Sequence, residues 1–193
     1  MDIREQLASL SQQTQAALME AALAEARRGM DRGELPIGSV IASITDGSAD
    51  ILGAAHNRNI ETKRRISHAE MLALGRASDE LVRRRQGAAI AAHDVPLDHG
   101  DIAMVCTLEP CIMCFSAAIL SGMRWVVYAL PSPADAGPAR IAMVEKASAR
   151  YPQLIAGVMR ARSLALFEEW VSKNTPASRH WDFVTKLLES SKP

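Results

Sequence analysis

Net charge is absent from this chain of 193 residues, in which 22 Lys and Arg residues balance 22 Asp and Glu residues. Proteins that bind nucleic acids usually carry an excess of basic residues. The balance therefore argues against a nucleic acid such as tRNA as the partner. Two basic runs, residues 63–65 and 83–85, are the candidates for a local positive patch.

Long apolar runs are absent too. None is long enough to span a bilayer, and residues 1–6 contain no apolar core of the signal-peptide type. We therefore expect a cytoplasmic protein that does not enter a membrane. With 48% hydrophobic residues, 23% charged residues and no internal repeat, residues 1–193 fit a single domain with a buried core. Helices from about residue 161 would form its C-terminal part.

Cysteine is scarce, with three residues at positions 106, 111 and 114. An odd count that includes a C-x-x-C pair, in a chain expected to be cytosolic, favours a metal or redox site over a disulfide framework. Cys106 lies in the continuous apolar run 102–106, which predicts a buried strand. We therefore expect Cys106 in the core and the other two cysteines at a site.

The hydrophobic pattern alternates between helices and strands. Helices are predicted near residues 12–31, 68–84, 111–121, 139–148, 161–172 and 181–190. Residues 35–41 lead into a first strand, which a hairpin-type turn at Asp46-Gly47 ends. Further strands are predicted near 51–56, 102–106, 124–130 and 154–156, whereas 57–67 and 131–138 read as loops. This alternation favours an α/β layer fold.

Two motifs carry the chemistry: His68-Ala69-Glu70 and Pro110-Cys111-Ile112-Met113-Cys114. A catalytic zinc ion takes three protein N or S ligands and leaves a fourth position for water. His68, Cys111 and Cys114 supply such a set. The two cysteines are three apart on a predicted first helical turn, so they face the same way, and the positive end of that helix favours thiolates. The sequence thus predicts one Zn²⁺ per chain, with a bound water or hydroxide.

Glu70 is two residues from His68 and is not needed as a ligand. Zinc lowers the pKa of its water from about 16 to about 7, and a neighbouring carboxylate can take the proton and pass it on. Two other interpretations stay open at this point. Cys111 and Cys114 are also compatible with a redox pair, or with a structural zinc site that Cys106 or a distant His would complete.

The two motifs together form the H-x-E and P-C-x-x-C signature of zinc deaminases. From about residue 17 to residue 130 the chain resembles the cytidine deaminase-like superfamily. It is similar in particular to the branch that holds bacterial tRNA adenosine deaminases, fungal-type cytosine deaminases and guanine deaminases. Further matching pieces are Glu34-Leu35-Pro36-Ile37-Gly38 and His56-Asn57-Arg58.

The resemblance implies a three-layer α/β/α fold around a mostly five-stranded mixed sheet, commonly in a homodimer. It implies hydrolytic release of ammonia from a nucleobase, a nucleoside or a related small amino-heterocycle. In that reaction His68, Cys111 and Cys114 would hold zinc and Glu70 would be the catalytic proton carrier. The alternative within the same chemistry is a tRNA-specific adenosine deaminase that makes inosine in an anticodon loop. A non-enzymatic protein with a structural zinc is a further alternative.

Three other residues are expected at the substrate. The resemblance implies that Asn57, eleven residues before His68, hydrogen-bonds the substrate. The backbone N–H of Ala69 is a candidate donor to the same molecule. Several base deaminases close their pocket with C-terminal aromatics, which here implicates Trp181 or Phe183, although both also suit the apolar face of an amphipathic helix.

The chain departs from the family pattern in two places, and the first of them weakens the tRNA alternative. Members of the tRNA type often carry a basic, glycine-rich segment after the strand that is predicted to end near Leu130. This chain has Pro-Ser-Pro-Ala-Asp at residues 131–135 instead. In addition, the Asp-Pro-Thr often found before the metal-binding His is missing from residues 63–67. A small-molecule substrate is therefore the first hypothesis.

Overall fold

The structure is a computed structural model that describes residues 10–84, 101–134, 136–140 and 151–192. The N-terminal half contains α1 (Gln12–Met30), β1 (Gly38–Thr45), β2 (Ser48–His56), α2 (Asn59–Thr62) and α3 (Ala69–Arg84). The centre contains β3 (Ile102–Leu108), α4 (Ile112–Leu120) and β4 (Trp125–Leu130). The C-terminal part contains α5 (Gly137–Arg140), β5 (Gln153–Ala156), α6 (Arg160–Lys173) and α7 (Trp181–Ser190).

The five strands form one mixed sheet in the order β2-β1-β3-β4-β5. β1 pairs antiparallel with β2 and with β3, whereas β3, β4 and β5 run parallel to one another. A two-residue turn at Asp46-Gly47, both with positive φ, joins β1 to β2. The central strand β3 is buried along its whole length, as the apolar run at 102–106 predicts.

Helices cover both faces of this sheet. Successive residues of β3 point to opposite sides: Ala103 and Val105 join one core cluster, and Met104 and Cys106 join the other. The first cluster also takes in the apolar sides of α1, α6 and α7, and the second those of α3 and α4. The predicted three-layer α/β/α fold with a five-stranded mixed sheet is confirmed.

Helix α1 packs closely against the beginning of β1. Gly38 makes this possible, because a Cβ atom there would lie 2.1 Å from the backbone oxygen of Ala22 and 2.6 Å from the nitrogen of Ala26. The N–H of Gly38 donates to Thr107 Oγ1 over 3.0 Å, and the Thr107 carbonyl accepts from Ser163 of α6 over 2.7 Å. These contacts fix the edge of the sheet from which the metal-binding motifs extend.

The element predictions differ from the structure in two described segments. The loop predicted at 131–138 ends early, because α5 begins at Gly137. Residues 57–67 were expected to form a loop but contain the short helix α2, which Glu34 holds in place. The buried Glu34 carboxylate accepts from the N–H groups of Ile60 and Glu61 over 2.8–3.1 Å. The partner lies 26 residues upstream, outside any local pattern. Of the helix predicted at 139–148, residues 141–148 lie outside the described part of the chain.

Among the described helices, none combines the length and the apolar character needed to cross a bilayer.

Candidate metal centre and active-site cavity

Three ligand atoms from two helix beginnings converge on one point. His68 immediately precedes α3, Cys111 is the N-cap residue of α4, and Cys114 lies in the first turn of α4. The Sγ atoms of Cys111 and Cys114 are 3.6 Å apart, and each lies 3.6 Å from His68 Nδ1. Among the described residues, no other group of three or more His, Cys, Asp or Glu side chains is arranged to hold a metal.

These separations fit tetrahedral zinc. Ligand bonds of 2.3 Å to sulfur and 2.0–2.1 Å to nitrogen place two sulfurs about 3.8 Å apart, and a sulfur and a nitrogen about 3.6 Å apart. The observed 3.6 Å between the sulfurs also excludes a disulfide, whose S–S bond is about 2.05 Å. The donor set and its spacing therefore suit a zinc ion with one open position.

The two thiols differ in their pKa. The hydrogen bond with Cys114, helped by His68, lowers the pKa of Cys111 to about 4. The same hydrogen bond and burial raise the pKa of Cys114. A cation between the sulfurs stabilises both thiolates. Cys106, fully buried in β3 with a contact to Ser39, has a pKa raised by burial and stays a core thiol.

Glu70 lies beside this centre in the first turn of α3. Its side chain is buried, and its Oε2 atom has no hydrogen-bond partner among the described residues. Burial raises the pKa of Glu70, although the charge of His68 acts in the opposite direction. A buried carboxylate oxygen without a hydrogen-bond partner costs free energy of folding. Such groups are rare in native structures and often have a catalytic role. Here the open oxygen can exchange a proton with a molecule in the cavity.

Asn57 follows β2 and is buried next to the start of α3. Its Oδ1 atom accepts the N–H of Ala69 over 2.9 Å, which satisfies one of the free N–H groups at that helix end. This bond sets the orientation of the amide, because only the oxygen can accept. The Nδ2 group donates no hydrogen bond within the described residues, and Asn57 is one of the residues that line the cavity.

The cavity has a volume of about 170 Å³. Its lining combines polar groups at the metal centre with apolar side chains and residues of the C-terminal helix region. The lining residues are Leu35, Ile37, Asn57, Asn59, His68, Glu70, Leu108, Glu109, Cys111, Ser132, His180 and Phe183.

The C-terminal residues meet the cavity in a particular way. Trp181 and Phe183 are both partly buried against the same core cluster, but Phe183 and His180 line the cavity and Trp181 does not. Burial and the neighbouring Arg179 charge lower the pKa of His180, which favours the uncharged ring. His180 carries no sequence signal that identifies it, because a lone His before an amphipathic helix is common.

A network of polar side chains holds the residue that precedes Asn57. The preceding residue, His56, hydrogen-bonds Glu25 of α1 over 2.9 Å and contacts Arg32 over 3.3 Å. Burial raises the pKa of Glu25, but hydrogen bonds from Arg28 and His56 outweigh it and leave the pKa below the usual value. The network ties the end of β2 to α1.

Residues 12–130 match the family model described as the cytidine and deoxycytidylate deaminase zinc-binding region. The match contains both motifs and covers more than half of the chain. The chain belongs to this deaminase family. Membership of the superfamily to which the two motifs pointed is thereby confirmed.

Relatives within the deaminase family differ in their substrates. The chain is 35% identical over 120 residues to a tRNA-specific adenosine deaminase of Streptococcus pyogenes, a match that covers 62% of this chain and 64% of that protein. It is 34% identical over 109 residues to a cytosine deaminase of Candida albicans, covering 56% and 61%. The chain thus spans less than two thirds of the length of these relatives.

The solved structures that resemble this chain also come from deaminases with different substrates. A guanine deaminase from Nitrosomonas europaea has a TM-score of 0.62 and 26% identity, with 80% of this chain and 83% of that chain covered. A structure from work on tRNA:A34 deaminases, which edit the wobble position of transfer RNA, has a TM-score of 0.57 and 25% identity, with 78% and 98% covered. The deaminase fold is therefore shared by neighbours that act on bases and on tRNA.

The sequence-predicted residues fall around the metal centre of this deaminase fold in two groups. The first group borders one cavity and consists of His68, Glu70, Cys111 and Asn57, with Cys114 behind them. The second group, Ala69 and Trp181, does not contact the cavity in the predicted way. The Ala69 N–H is engaged by Asn57, and Trp181 is partly buried against the core without lining the cavity, which Phe183 lines instead.

Proposed function

We propose that the protein is a zinc-dependent hydrolytic deaminase that releases ammonia from a nucleobase, a nucleoside or a related small amino-heterocycle. The observation that carries this proposal is the open, buried carboxylate oxygen of Glu70 beside a His/Cys/Cys group whose spacing suits zinc. A structural zinc would need a fourth protein ligand. Cys106 does not supply it, since its sulfur contacts Ser39 instead.

The chain's own residues account for the proton transfers. Zinc, when held by His68, Cys111 and Cys114, supplies a Lewis acid that lowers the pKa of water to about 7. Glu70 Oε2 takes a proton from the attacking water and delivers it to the ring nitrogen next to the reacting carbon. The carboxylate then takes the second proton, from the added hydroxyl group, and delivers it to the leaving amine, so that a C–N bond breaks, a C=O bond forms and ammonia leaves. Burial raises the pKa of Glu70, which favours a carboxyl group that both accepts and returns protons.

Asn57 orients the substrate in this proposal. Because its Oδ1 is occupied by the Ala69 N–H, its Nδ2 group is left to donate to an acceptor on the ring. Ala69 therefore acts by holding Asn57, and a direct contact between its N–H and the substrate stays a prediction. A heteroaromatic ring could pack against the apolar side chains that line the cavity. These are Leu35, Ile37, Leu108 and Phe183.

Two substitutions separate the roles of the Asn57 amide. In Asn57→Asp the carboxylate still accepts the Ala69 N–H, so the melting temperature should stay within a few degrees of wild type. The donor is lost, so kcat/KM should fall by about tenfold or more. In Asn57→Ala the buried N–H loses its partner, and stability should also fall, by about 1–3 kcal/mol. Steady-state kinetics and thermal unfolding on both variants test this, and wild-type kcat/KM in Asn57→Asp would contradict a substrate contact.

The test of the overall proposal is ammonia release by the zinc-loaded protein. The panel contains cytosine, guanine, adenine, their nucleosides, other amino-heterocycles and total tRNA, with Glu70→Ala as the control. Release from a small molecule, absent in the control, is the expected result. Failure of every compound in the presence of stoichiometric zinc would overturn the proposal.

A tRNA adenosine deaminase is the second candidate, because the Streptococcus pyogenes relative carries that activity in its name. It predicts binding to tRNA that weakens steeply with salt, since phosphate contacts release counterions. Release of ammonia from tRNA alone would select this candidate. The small-molecule proposal is preferred because the chain has no excess of basic residues.

We also infer a homodimer. Helix α4 and its N-cap carry the metal-binding cysteines, and the helix exposes two large apolar side chains, Ile112 at 47% and Leu120 at 72%, which an interface with a second copy would cover. Light scattering should give a mass near twice 20.9 kDa, and a monomer at micromolar concentration would exclude it. The cytoplasmic location and the single domain over residues 1–193 stay predictions from the sequence.

A further inference from the structure

The short helix α2 has no hydrophobic support of its own. It consists of Asn59–Thr62, and none of these side chains is buried. A helix of this length does not form in isolation, because its first turn fixes several residues for a single hydrogen bond. Contacts from elsewhere in the chain must therefore hold it.

The contacts that hold α2 come from a buried carboxylate. Glu34, which is 1% exposed, accepts from the N–H groups of Ile60 and Glu61 over 2.8–3.1 Å. These N–H groups belong to the first turn of a helix, where a local Ser, Thr, Asp or Asn usually supplies the acceptor. The residue before α2 is Arg58, whose side chain makes no such bond. A residue 26 positions upstream thus acts as the N-terminal cap.

The same segment is tied to the metal-binding motif. The Arg58 N–H donates to the Ser67 carbonyl over 3.0 Å, and the Thr62 hydroxyl donates to Ser67 Oγ over 2.9 Å. Ser67 immediately precedes His68, one of the three candidate metal ligands. Helix α2 is therefore held at both ends, and its first residue, Asn59, has a fixed position relative to the metal centre.

Asn59 borders the active-site cavity with an acceptor that has no partner. Its Oδ1 atom is buried and accepts no hydrogen bond from any described residue, whereas buried acceptors are rarely left without a donor. Asn59 lines the active-site cavity together with Asn57 and Glu70. It also lines a smaller space of about 30 Å³, and neither Glu70 nor the candidate metal ligands are among the residues around that space. Asn59 therefore lies where the active-site cavity leads away from the metal centre.

We propose that Asn59 is a specificity-determining residue whose Oδ1 atom accepts a hydrogen bond from a donor on the substrate, and that Glu34 positions it by capping α2. This inference rests on the proposed deaminase function. The recognised donor lies on the part of the substrate that is opposite the reacting carbon. It is a ring N–H in a free base and a sugar hydroxyl in a nucleoside.

The two asparagines recognise different groups of the substrate. The Oδ1 atom of Asn57 is occupied by the Ala69 N–H, so this amide contributes a donor. Asn59 contributes an acceptor. A substrate that satisfies both amides presents an acceptor and a donor of its own. An analogue without the donor leaves a buried oxygen unpaired, which weakens binding by about tenfold or more.

The test compares the binding of matched compounds to zinc-loaded Glu70→Ala protein, so that turnover does not interfere. Cytosine, adenine and guanine are titrated calorimetrically alongside their derivatives methylated at the nitrogen that would carry a sugar. Cytidine, adenosine and guanosine are titrated alongside the deoxy forms that lack each hydroxyl group in turn. At least one parent compound should bind about tenfold or more tightly than its analogue. The first set tests a ring N–H as the donor, and the second tests a hydroxyl.

Substitutions of Asn59 identify the contact. Asn59→Leu has a similar shape but no acceptor, so it should reduce the preference to less than about threefold without weakening the binding of the analogue. A steric effect of the added methyl group would persist in this variant. Asn59→Asp has acceptors and no donor, so it should keep the preference. An unchanged preference in Asn59→Leu, or a preference lost in Asn59→Asp, would overturn the assignment.

Substitutions of Glu34 test its positioning role. Glu34→Ala should speed hydrogen exchange at the Ile60 and Glu61 amides by about tenfold or more, and should lower the preference without changing the zinc content. Glu34→Gln should restore most of the preference, because one oxygen of Glu34 already accepts from both N–H groups. Glu34→Asp, with a shorter side chain, replaces Glu34→Ala if that variant does not fold.

The matched control is Glu61→Ala, which removes an exposed carboxylate of the same helix that pairs with Arg58. It should leave the preference unchanged. Wild-type hydrogen exchange together with a wild-type preference in Glu34→Ala would overturn the positioning role.

Ammonia release by the wild-type protein is measured separately on the same compounds. Release from one of them, combined with binding that does not depend on Asn59, would overturn this inference and leave the proposed function intact. No release and no binding by any of them would overturn the proposed function, and this inference with it.

Discussion

Replacing Glu70 by Gln should lower kcat for ammonia release by about a thousandfold, within the range that a positioned acid–base group contributes. The amide has the shape of the carboxyl group but cannot take a proton from water or protonate a leaving amine. The metal ligands are untouched, so zinc content should stay at one ion per chain. The measurement is single-turnover ammonia release on the best substrate, alongside elemental analysis of the same sample.

The stability of the Glu70→Gln variant provides a control, because the direction of its expected change is known. Burial raises the pKa of Glu70 in the folded protein above the unfolded value of 4.5. The ionised carboxylate therefore costs stability as pH rises above that value. In the metal-free protein at pH 7, Glu70→Gln should unfold at the same temperature as wild type or at a higher one. A variant that keeps zinc and folds well, yet turns over within threefold of wild type, would exclude Glu70 as the proton carrier.

Substituting Gly38 by Ala should destabilise the fold more than any exposed change. The added Cβ would lie 2.1 Å from the Ala22 oxygen and 2.6 Å from the Ala26 nitrogen, both backbone atoms of α1. Neither can move without shifting the helix, and overpacking of this kind costs about 3 kcal/mol or more. For a chain of this length the melting temperature should fall by roughly 6–12 °C, as differential scanning calorimetry would show.

The matched control for that change is Gly75→Ala on α3. No atom lies within 4 Å of the position that a Cβ would occupy there, and the residue is inside a helix. Because Gly is about 1 kcal/mol less favourable than Ala in a helix interior, this variant should be more stable than wild type. If Gly38→Ala unfolded at the wild-type temperature, the close approach of α1 to β1 would be wrong.

The metal ligands were predictable because their signal is local. The pair of cysteines lies close to one helical turn, and His68 is two residues from Glu70, so each motif is local. The resemblance to the zinc deaminase signature is what joined the two motifs. The sheet followed from alternating apolar runs, such as 102–106. Helix α2 did not, because the carboxylate of Glu34 that holds it lies far upstream in the sequence.

Helix α7 gives a second example of a feature that the sequence does not predict, in this case the position of one side chain. Its amphipathic pattern predicts α7 but not which edge of the apolar face meets the cavity. Val184 and Leu187 are buried in the core, and Trp181 and Phe183 are both partly buried against the same core cluster. Phe183 lies about 100° around the helix from Val184 and so reaches the cavity. Only the docking of α7 on α6 decides between the two aromatics.

The origin of the ligands on two separate helices makes zinc affinity a measure of tertiary structure. His68 and Cys111 are 43 residues apart in the chain, and a metal that joins them closes a long loop. An unfolded chain offers the two cysteines at close range, but the histidine only by chance. Binding free energy is therefore folding free energy for the contact between α3 and α4. Removing zinc with a chelator should loosen that contact before the rest of the sheet, and the rate of metal release would report how often the two helices separate.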